Sequence, residues 1–353
     1  MTILYFILLL GVIICFHELG HFIAAKIFGV YVYEFSFGMG PKLFHKKGKE
    51  TQFSIRALPV GGFVAMAGEK DGDEAYPDVV VPEGRRLTDA APWKKIIIML
   101  AGVFNNFVLA YLIFVVVLLM SGVITTSPKP VVASVAKDSP AEEAGFEAGD
   151  AILKVEKEDG SSVKPKTFLD LQSFNAGYSD ELTYTVQRDD KTIELKVTPA
   201  YNEEAGAYLI GITAPQPESV KITVLNCWYY GGYEMTSMVR MMKTTLQGLF
   251  FHGSGLDQLS GPVGIYQATD TYASMGPAAF LFLVAELSLN VGIMNLLPLP
   301  VLDGGQVILT LIEWAFHKTL NEKVKAGIMI GCWVLLIGMM VLVTWNDISR
   351  LLA

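Results

Sequence analysis

The chain has 353 residues, a net charge of −8, 52% apolar residues and 18% charged ones, with a mean hydropathy of +0.42. A soluble domain carries about 25% charged residues, so this apolar surplus excludes a water-covered fold and points to a polytopic α-helical membrane protein. The acidic balance, with no basic tract, excludes nucleic acid as a partner, and three scattered cysteines, Cys15, Cys227 and Cys332, exclude a disulfide scaffold.

Four stretches reach the roughly 20 apolar residues needed to cross about 30 Å of hydrocarbon. Residues 1–28 are the first, uncharged from Ile3 to Phe16 and without the basic start and cleavage site of a signal peptide. Residues 29–95 are expected to carry an apolar β-hairpin within Phe53–Gly68, broken at Gly61-Gly62, then an acidic mobile loop from Glu69 to Asp89. Residues 96–124 are the second span. Residues 125–218 read as a soluble domain with strands at 131–135, 151–155, 182–187 and 192–197, a helix start capped by Ser139 and a turn over Gly145–Asp150. Residues 219–277 read as an amphipathic helix on the membrane surface and a connecting loop. The third span, 278–305, runs into Pro298-Leu299-Pro300-Val301-Leu302-Asp303-Gly304-Gly305; 306–325 is a loop and 326–346 the fourth span.

Lysines set the orientation. Lys26, Lys42, Lys46, Lys47, Lys49, Lys94 and Lys95 flank the first connection, and Lys318, Lys323 and Lys325 the last. Both are expected to be cytoplasmic, leaving the two termini and the 125–218 domain outside.

The chemistry concentrates in His17-Glu18-Leu19-Gly20-His21, inside the first span. Positions i and i+4 share one helix face, so both imidazoles can reach a single metal ion. Glu18 projects about 100° away and can address a water held at that ion. Three ionisable groups in five residues at membrane depth are costly and point to function. Zinc takes a third protein ligand. His17 lies about 21 Å along the helix from Ile3, in the cytoplasmic third of the bilayer, and the inner end of the third span reaches the same depth. There Pro298 and Pro300 break the helix and the following glycines allow close approach. Asp303 is therefore either that ligand or the start of a cytoplasmic turn. His45, His252 and His317 read as solvated.

His17 to His21, with Asn295-x-x-Pro298-x-Pro300-x-Leu302-Asp303-Gly304, resembles the site-2 protease family of intramembrane zinc metalloproteases, in its bacterial regulator of sigma-E protease branch. Phe35–Lys42, Pro59–Val64 and Ser260–Ile265 are similar to further segments of that branch, and residues 131–199 resemble a PDZ domain. Two features depart from the pattern: Val103 stands where the family has proline, and there is one PDZ-like domain where some relatives carry two.

The resemblance implies a Zn2+ ion on His17, His21 and Asp303, with Glu18 as general base and then proton donor to the leaving amine. It implies substrate handling by Asn106, Asn295, Pro298 and Pro300, and a membrane-dipping β-hairpin near the active site at Gly61, Gly62 and Phe63 whose edge can take an extended substrate as an added strand. Helix-to-helix hydrogen bonds are the alternative role for both asparagines. Expected partners are the lipid bilayer and single-span proteins with cytoplasmic amino termini, pre-trimmed by a site-1 protease: anti-sigma factors and leftover signal peptides. The expected place is the bacterial inner or plasma membrane. The PDZ-like domain is either a size filter, a peptide groove or a spacer. A metal transporter would need more intramembrane ligands than Glu286, and a scaffold gives no reason for a His-Glu-His set at membrane depth.

Overall fold

The computed structural model describes residues 1–175, 177–203, 207–252, 260–318 and 321–352. They form two compact units, Met1–Ser121 with Val224–Ala353, and Gly122–Thr223. Helix α1 (Thr2–Ile27) carries the first apolar run. Strands β1 (Val32–Lys47) and β2 (Gln52–Met66) follow, then the short helix α2 (Lys70–Ala75) and the long helix α3 (Pro92–Ser121).

The strands differ from the expected hairpin. The two halves of β2, on either side of Gly61, do not pair with each other. Glu34, Phe35, Ser36 and Phe37 of β1 are partnered by Ala65, Val64, Phe63 and Gly62, and also by Gln52, Phe53, Ser54 and Ile55. The first half of β1 therefore lies between the two halves of β2, and Gly61, at φ +97°, makes the bend. This leaves residues 62–66 as an edge. The segment Glu69–Asp89, expected to be mobile, is tied down instead. Arg85 pairs with Glu50 and donates to the Gly29 carbonyl, Asp73 accepts from Tyr33 and Arg86, and Leu87 is buried.

The second unit contains β3 (Val123–Thr125), β4 (Ser134–Val135), α4 (Pro140–Glu143), β5 (Ala151–Lys157), β6 (Ser162–Val163), α5 (Phe168–Asn175), β7 (Leu182–Arg188), β8 (Lys191–Val197), β9 (Ala200–Asn202), β10 (Ala207–Leu209), β11 (Ile212–Thr213) and β12 (Ser219–Lys221). An antiparallel sheet in the order β6-β5-β7-β8 buries Ile152, Val155, Leu182, Tyr184 and Val186. Ser139 caps α4 as expected, accepting the Glu142 N–H at 3.3 Å. Helix α5 has no strong sequence signal and was not expected.

Asp150 is fully buried in this unit, bonded twice by Arg188 at 2.7 Å and once by the Glu147 N–H at 2.9 Å. Burial raises its carboxyl, but Arg188 and the Glu147 N–H outweigh that and hold it below its ordinary value. Its contribution to stability is therefore complete above the unfolded value of about 3.9 and is lost as pH falls through the lower folded one. Asp150→Asn should weaken the 122–223 amides at neutral pH by about 3 kcal/mol and flatten their response between about pH 5 and pH 3. Hydrogen exchange of the full chain reads both effects.

The chain then returns to the first unit with α6 (Cys227–His252), α7 (Pro262–Ser274), α8 (Pro277–Asn295), α9 (Asp303–Phe316) and α10 (Glu322–Leu352). Among the described residues, four helical stretches are long and apolar enough to cross a membrane: Thr2–Ile27, Pro92–Ser121, Pro277–Asn295 and Lys323–Ser349. The chain is a multi-pass membrane protein. Trp333, Val334, Leu335 and Leu342 on α10 are each more than half exposed, a surface that suits hydrocarbon and not water.

Three expectations for this half are corrected. Helix α6 is not merely a surface helix: Met235, Met238, Val239 and Met242 pack on Ala110, Phe114, Ala285 and Leu289 of α3 and α8, since flexible thioethers fill the gaps between spanning helices. The expected connecting loop holds α7, where Gly261 is the N-cap, Pro262 leads the first turn, and Asp347 of α10 accepts the Gly264 N–H at 2.9 Å. The 306–325 loop is largely helical as well, because Asp303 opens α9 instead of ending the third span. Of the histidines read as solvated, His317 closes α9 in a left-handed conformation and His45 is exposed on β1. The His252 side chain lies outside those described.

Candidate metal centre

Two glycines bring α1 against α3. A Cβ on Gly20 would collide with the Ala101 carbonyl, and one on Gly102 would collide with His21 Nε2 and stand 2.9 Å from His17 Cε1. Only a glycine-to-glycine crossing lets the backbone of α3 lie against both imidazoles, which are buried at 8% exposure each. The second wall comes from the break after α8. Pro298 and Pro300 end that helix, and Gly304 and Gly305 let the start of α9 touch the carbonyls of Leu296, Leu297 and Leu299, where a Cβ would collide. Asp303 is thereby set as the first residue of α9, a helix that packs against α3.

The three side chains converge. His17 Nε2 is 3.1 Å and His21 Nε2 3.6 Å from Asp303 Oδ2, and the two nitrogens are 3.2 Å apart. Zinc bonds of about 2.0–2.1 Å in a tetrahedron place neighbouring ligand atoms about 3.3–3.4 Å apart. His21 Nδ1 lies 2.8 Å from the Ile98 carbonyl and donates to it, so Nε2 of the neutral ring presents its lone pair. Asp303 Oδ2 is buried without a hydrogen-bond partner. Lone pairs facing one another at this spacing repel unless a cation lies between them, and these residues fit a divalent ion. His17, His21 and Asp303 are the cluster that can hold a metal among the described residues.

Glu18 faces a cleft of about 480 Å³ whose lining includes His17, His21, Val64, Met66, Asn295 and Asp303. Val64 lines the same cleft as the Glu18 carboxylate. Gly62 also backs onto it, since a Cβ there would lie 3.7 Å from Glu18 Cγ. The edge of the sheet thus runs beside the carboxylate.

The predicted substrate-handling residues divide. Asn295 is half-buried and lines the cleft. Asn106 is fully buried behind His17, with its amide nitrogen 3.4 Å from Nδ1 and its Oδ1 unpartnered. Turning the amide over would let Oδ1 accept from Nδ1–H and fix the ring with Nε2 towards Asp303. That position suits orienting a ligand and does not reach the cleft. Asn106→Ala is expected to weaken zinc binding by about 10- to 100-fold with less effect on zinc-saturated turnover, measured by competition with a zinc chelator. Pro298, Pro300 and Phe63 do not line the cleft; Pro298 is exposed, and Phe63 lies under the Arg56 guanidinium at 4.8 Å. Ile98, Gly20 and Gly102 were missed, because their roles depend on which helices cross.

Residues 5–339 match peptidase family M50. The regulator of sigma-W protease RasP of Bacillus subtilis is 32% identical over an alignment of 424 residues, covering 99% of each chain. A candidate zinc metalloprotease of Clostridium perfringens is 35% identical, covering 99% of this chain and 98% of its own. Among solved structures, the PDZ domain of the SdrC-like protein from Listeria monocytogenes shares 22% identity over 25% of this chain and 90% of that one, with a TM-score of 0.22.

Proposed function

The chain belongs to peptidase family M50 and is an intramembrane zinc protease of the site-2 type, and on that premise we propose the residue roles, topology and substrates that follow. His17, His21 and Asp303 hold the zinc ion and Glu18 is the general base. The observation that carries this reading is the convergence of three buried ligand atoms at 3.1–3.6 Å with Glu18 on the neighbouring helix position.

A zinc ion held by His17, His21 and Asp303 would supply Lewis-acid chemistry, lowering the pKa of a water to about 7 and polarising a carbonyl. Glu18 takes the proton released as water attacks and returns it to the leaving amine nitrogen. The edge strand at Gly62 and Val64 borders the Glu18 carboxylate. Ile98 and Asn106 keep the imidazoles turned towards Asp303.

A transmembrane helix must unwind before its peptide bond is accessible, and bare backbone groups in lipid cost several kcal/mol each. The edge at Gly61, Gly62 and Phe63 supplies replacement partners by taking the unwound substrate as an added strand. Asn295 supports the chain from the opposite wall. Gly304 and Gly305 let α9 start against the Leu296–Pro300 turn, which sets the position of Asp303.

The cytoplasmic side carries the lysine-bearing connections, and the 122–223 unit is a PDZ-like domain outside the cell, limiting entry to trimmed proteins. Substrates are single-span bacterial membrane proteins with cytoplasmic amino termini, cut first by a site-1 protease. The relative's name, regulator of sigma-W protease, supports anti-sigma factors as one class.

The test is cleavage of such a substrate by the full chain in a bilayer. Chelator-stripped protein should be inactive and recover with zinc. Phe63→Pro, which disturbs the edge strand and leaves the ligands alone, should keep its zinc and cleave at least about tenfold more slowly. Full activity in the stripped protein would remove the metal reading, and an unchanged rate in Phe63→Pro the strand reading.

A further inference from the structure

The sheet formed by β1 and β2 has a surface that the proteolytic reading leaves unused. Its root and tip are fixed against α1. Glu50, in the turn, meets Lys26 at 2.9 Å. At the other end, a Cβ on Gly11 would lie 3.0 Å from Phe37 and 3.6 Å from the Pro59 carbonyl. Gly11 and Lys26 are separated along α1 by about 22 Å at 1.5 Å per residue. The sheet therefore runs from the helix end to mid-membrane depth.

Its composition changes along that axis. Towards the tip, Met39, Leu43, Ile55 and Leu58 are 49–59% exposed, and Phe44 is 71% exposed. At the root, Lys46 and Lys47 face Phe53 and Gln52 across the ladder, and Lys49 stands in the turn. Lys42 is neutralised by Glu34 at 3.0 Å and Lys26 by Glu50. Lys46, Lys47 and Lys49 are exposed, and among the described residues no carboxylate pairs with them. Three unneutralised lysines thus stand at interface depth above an apolar surface that points into hydrocarbon.

We propose that the Lys46–Lys49 turn binds the anionic phospholipid headgroups of the adjoining leaflet, and that this contact holds the sheet at the depth where Val64 meets Glu18. The inference rests on the membrane-dipping reading of the sheet and adds a lipid class to it. Charge complementarity selects the headgroup: an ammonium gains from phosphatidylglycerol and not from net-neutral phosphatidylcholine. Each lysine near an anionic surface is worth about fivefold in such an equilibrium, so three give about a hundredfold.

The full chain is reconstituted in phosphatidylcholine nanodiscs, alone or mixed with phosphatidylglycerol. Hydrogen exchange of residues 42–58 and cleavage rate are both read. Anionic lipid should protect those amides and raise cleavage by about tenfold or more. The combined Lys46→Gln, Lys47→Gln, Lys49→Gln variant should behave in mixed bilayers as the parent does in neutral ones, with unchanged zinc content. Equal protection in both lipids overturns the headgroup selectivity while the membrane-dipping reading stands. Exposure in both overturns the two together. A triple variant that still responds to phosphatidylglycerol also overturns the assignment to these lysines.

Discussion

Replacing Glu18 by Gln should leave one zinc ion per chain and lower turnover by about 10²–10⁴-fold, the range a general base contributes. Gln keeps the size of Glu18 and can still meet a polar partner, but it takes no proton. His17, His21 and Asp303 lie outside the change, and their spacing of 3.1–3.6 Å sets the affinity for metal. A loss confined to turnover separates a base from a ligand. If zinc is lost with activity, Glu18 belongs to the coordination sphere. If neither changes, the proteolytic role of the site is wrong. The inactive variant should also retain its substrate, so a single-span protein co-purifying with Glu18→Gln and not with the parent would identify it.

The second large effect is expected at a residue with no side chain. Gly102→Ala adds one methyl group where α3 crosses α1, and that methyl would overlap His21 Nε2, the atom assigned to the metal. The alternatives are to rotate the imidazole, breaking its 2.8 Å bond to the Ile98 carbonyl, or to separate two helices locked by Gly20 against Ala101. Overpacking of this kind costs about 1–3 kcal/mol, and moving a ligand off its geometry should reduce zinc affinity by well over tenfold. The expected result is a folded, largely metal-free protein with little activity, partly recovered in excess zinc. Atomic absorption of the purified variant, with circular dichroism to confirm helix content, checks it. Full zinc occupancy and normal turnover would contradict the crossing geometry.

The sequence made the metal-binding chemistry legible because helices are periodic. Imidazoles four residues apart must share a face, so His17 and His21 needed no tertiary information. Asp303 was reached by matching depths, an argument that works only because a bilayer forces spans into register. Its local setting was not legible. Two prolines predict a break, but whether a loop or a new helix follows depends on Gly304 and Gly305 packing on Leu296–Leu299, a contact no linear pattern encodes. The sheet failed for a related reason. The bend at Gly61 was visible, but the strand lying between the halves of β2 comes from residues 32–37, and alternation within one segment says nothing about its partner. Asn106 shows the limit most clearly: a polar residue at membrane depth is recognisable, but whether it faces the cleft or the back of His17 is a matter of helix rotation.

Zinc-edge X-ray absorption on the purified full chain tests the central claim most directly. One zinc ion per chain is expected, with two imidazole nitrogens and one carboxylate oxygen at about 2.0–2.1 Å, and Asp303→Ala should lose the oxygen together with most of the bound metal. A spectrum without imidazole scattering, or an Asp303→Ala protein with an unaltered zinc shell, would contradict it.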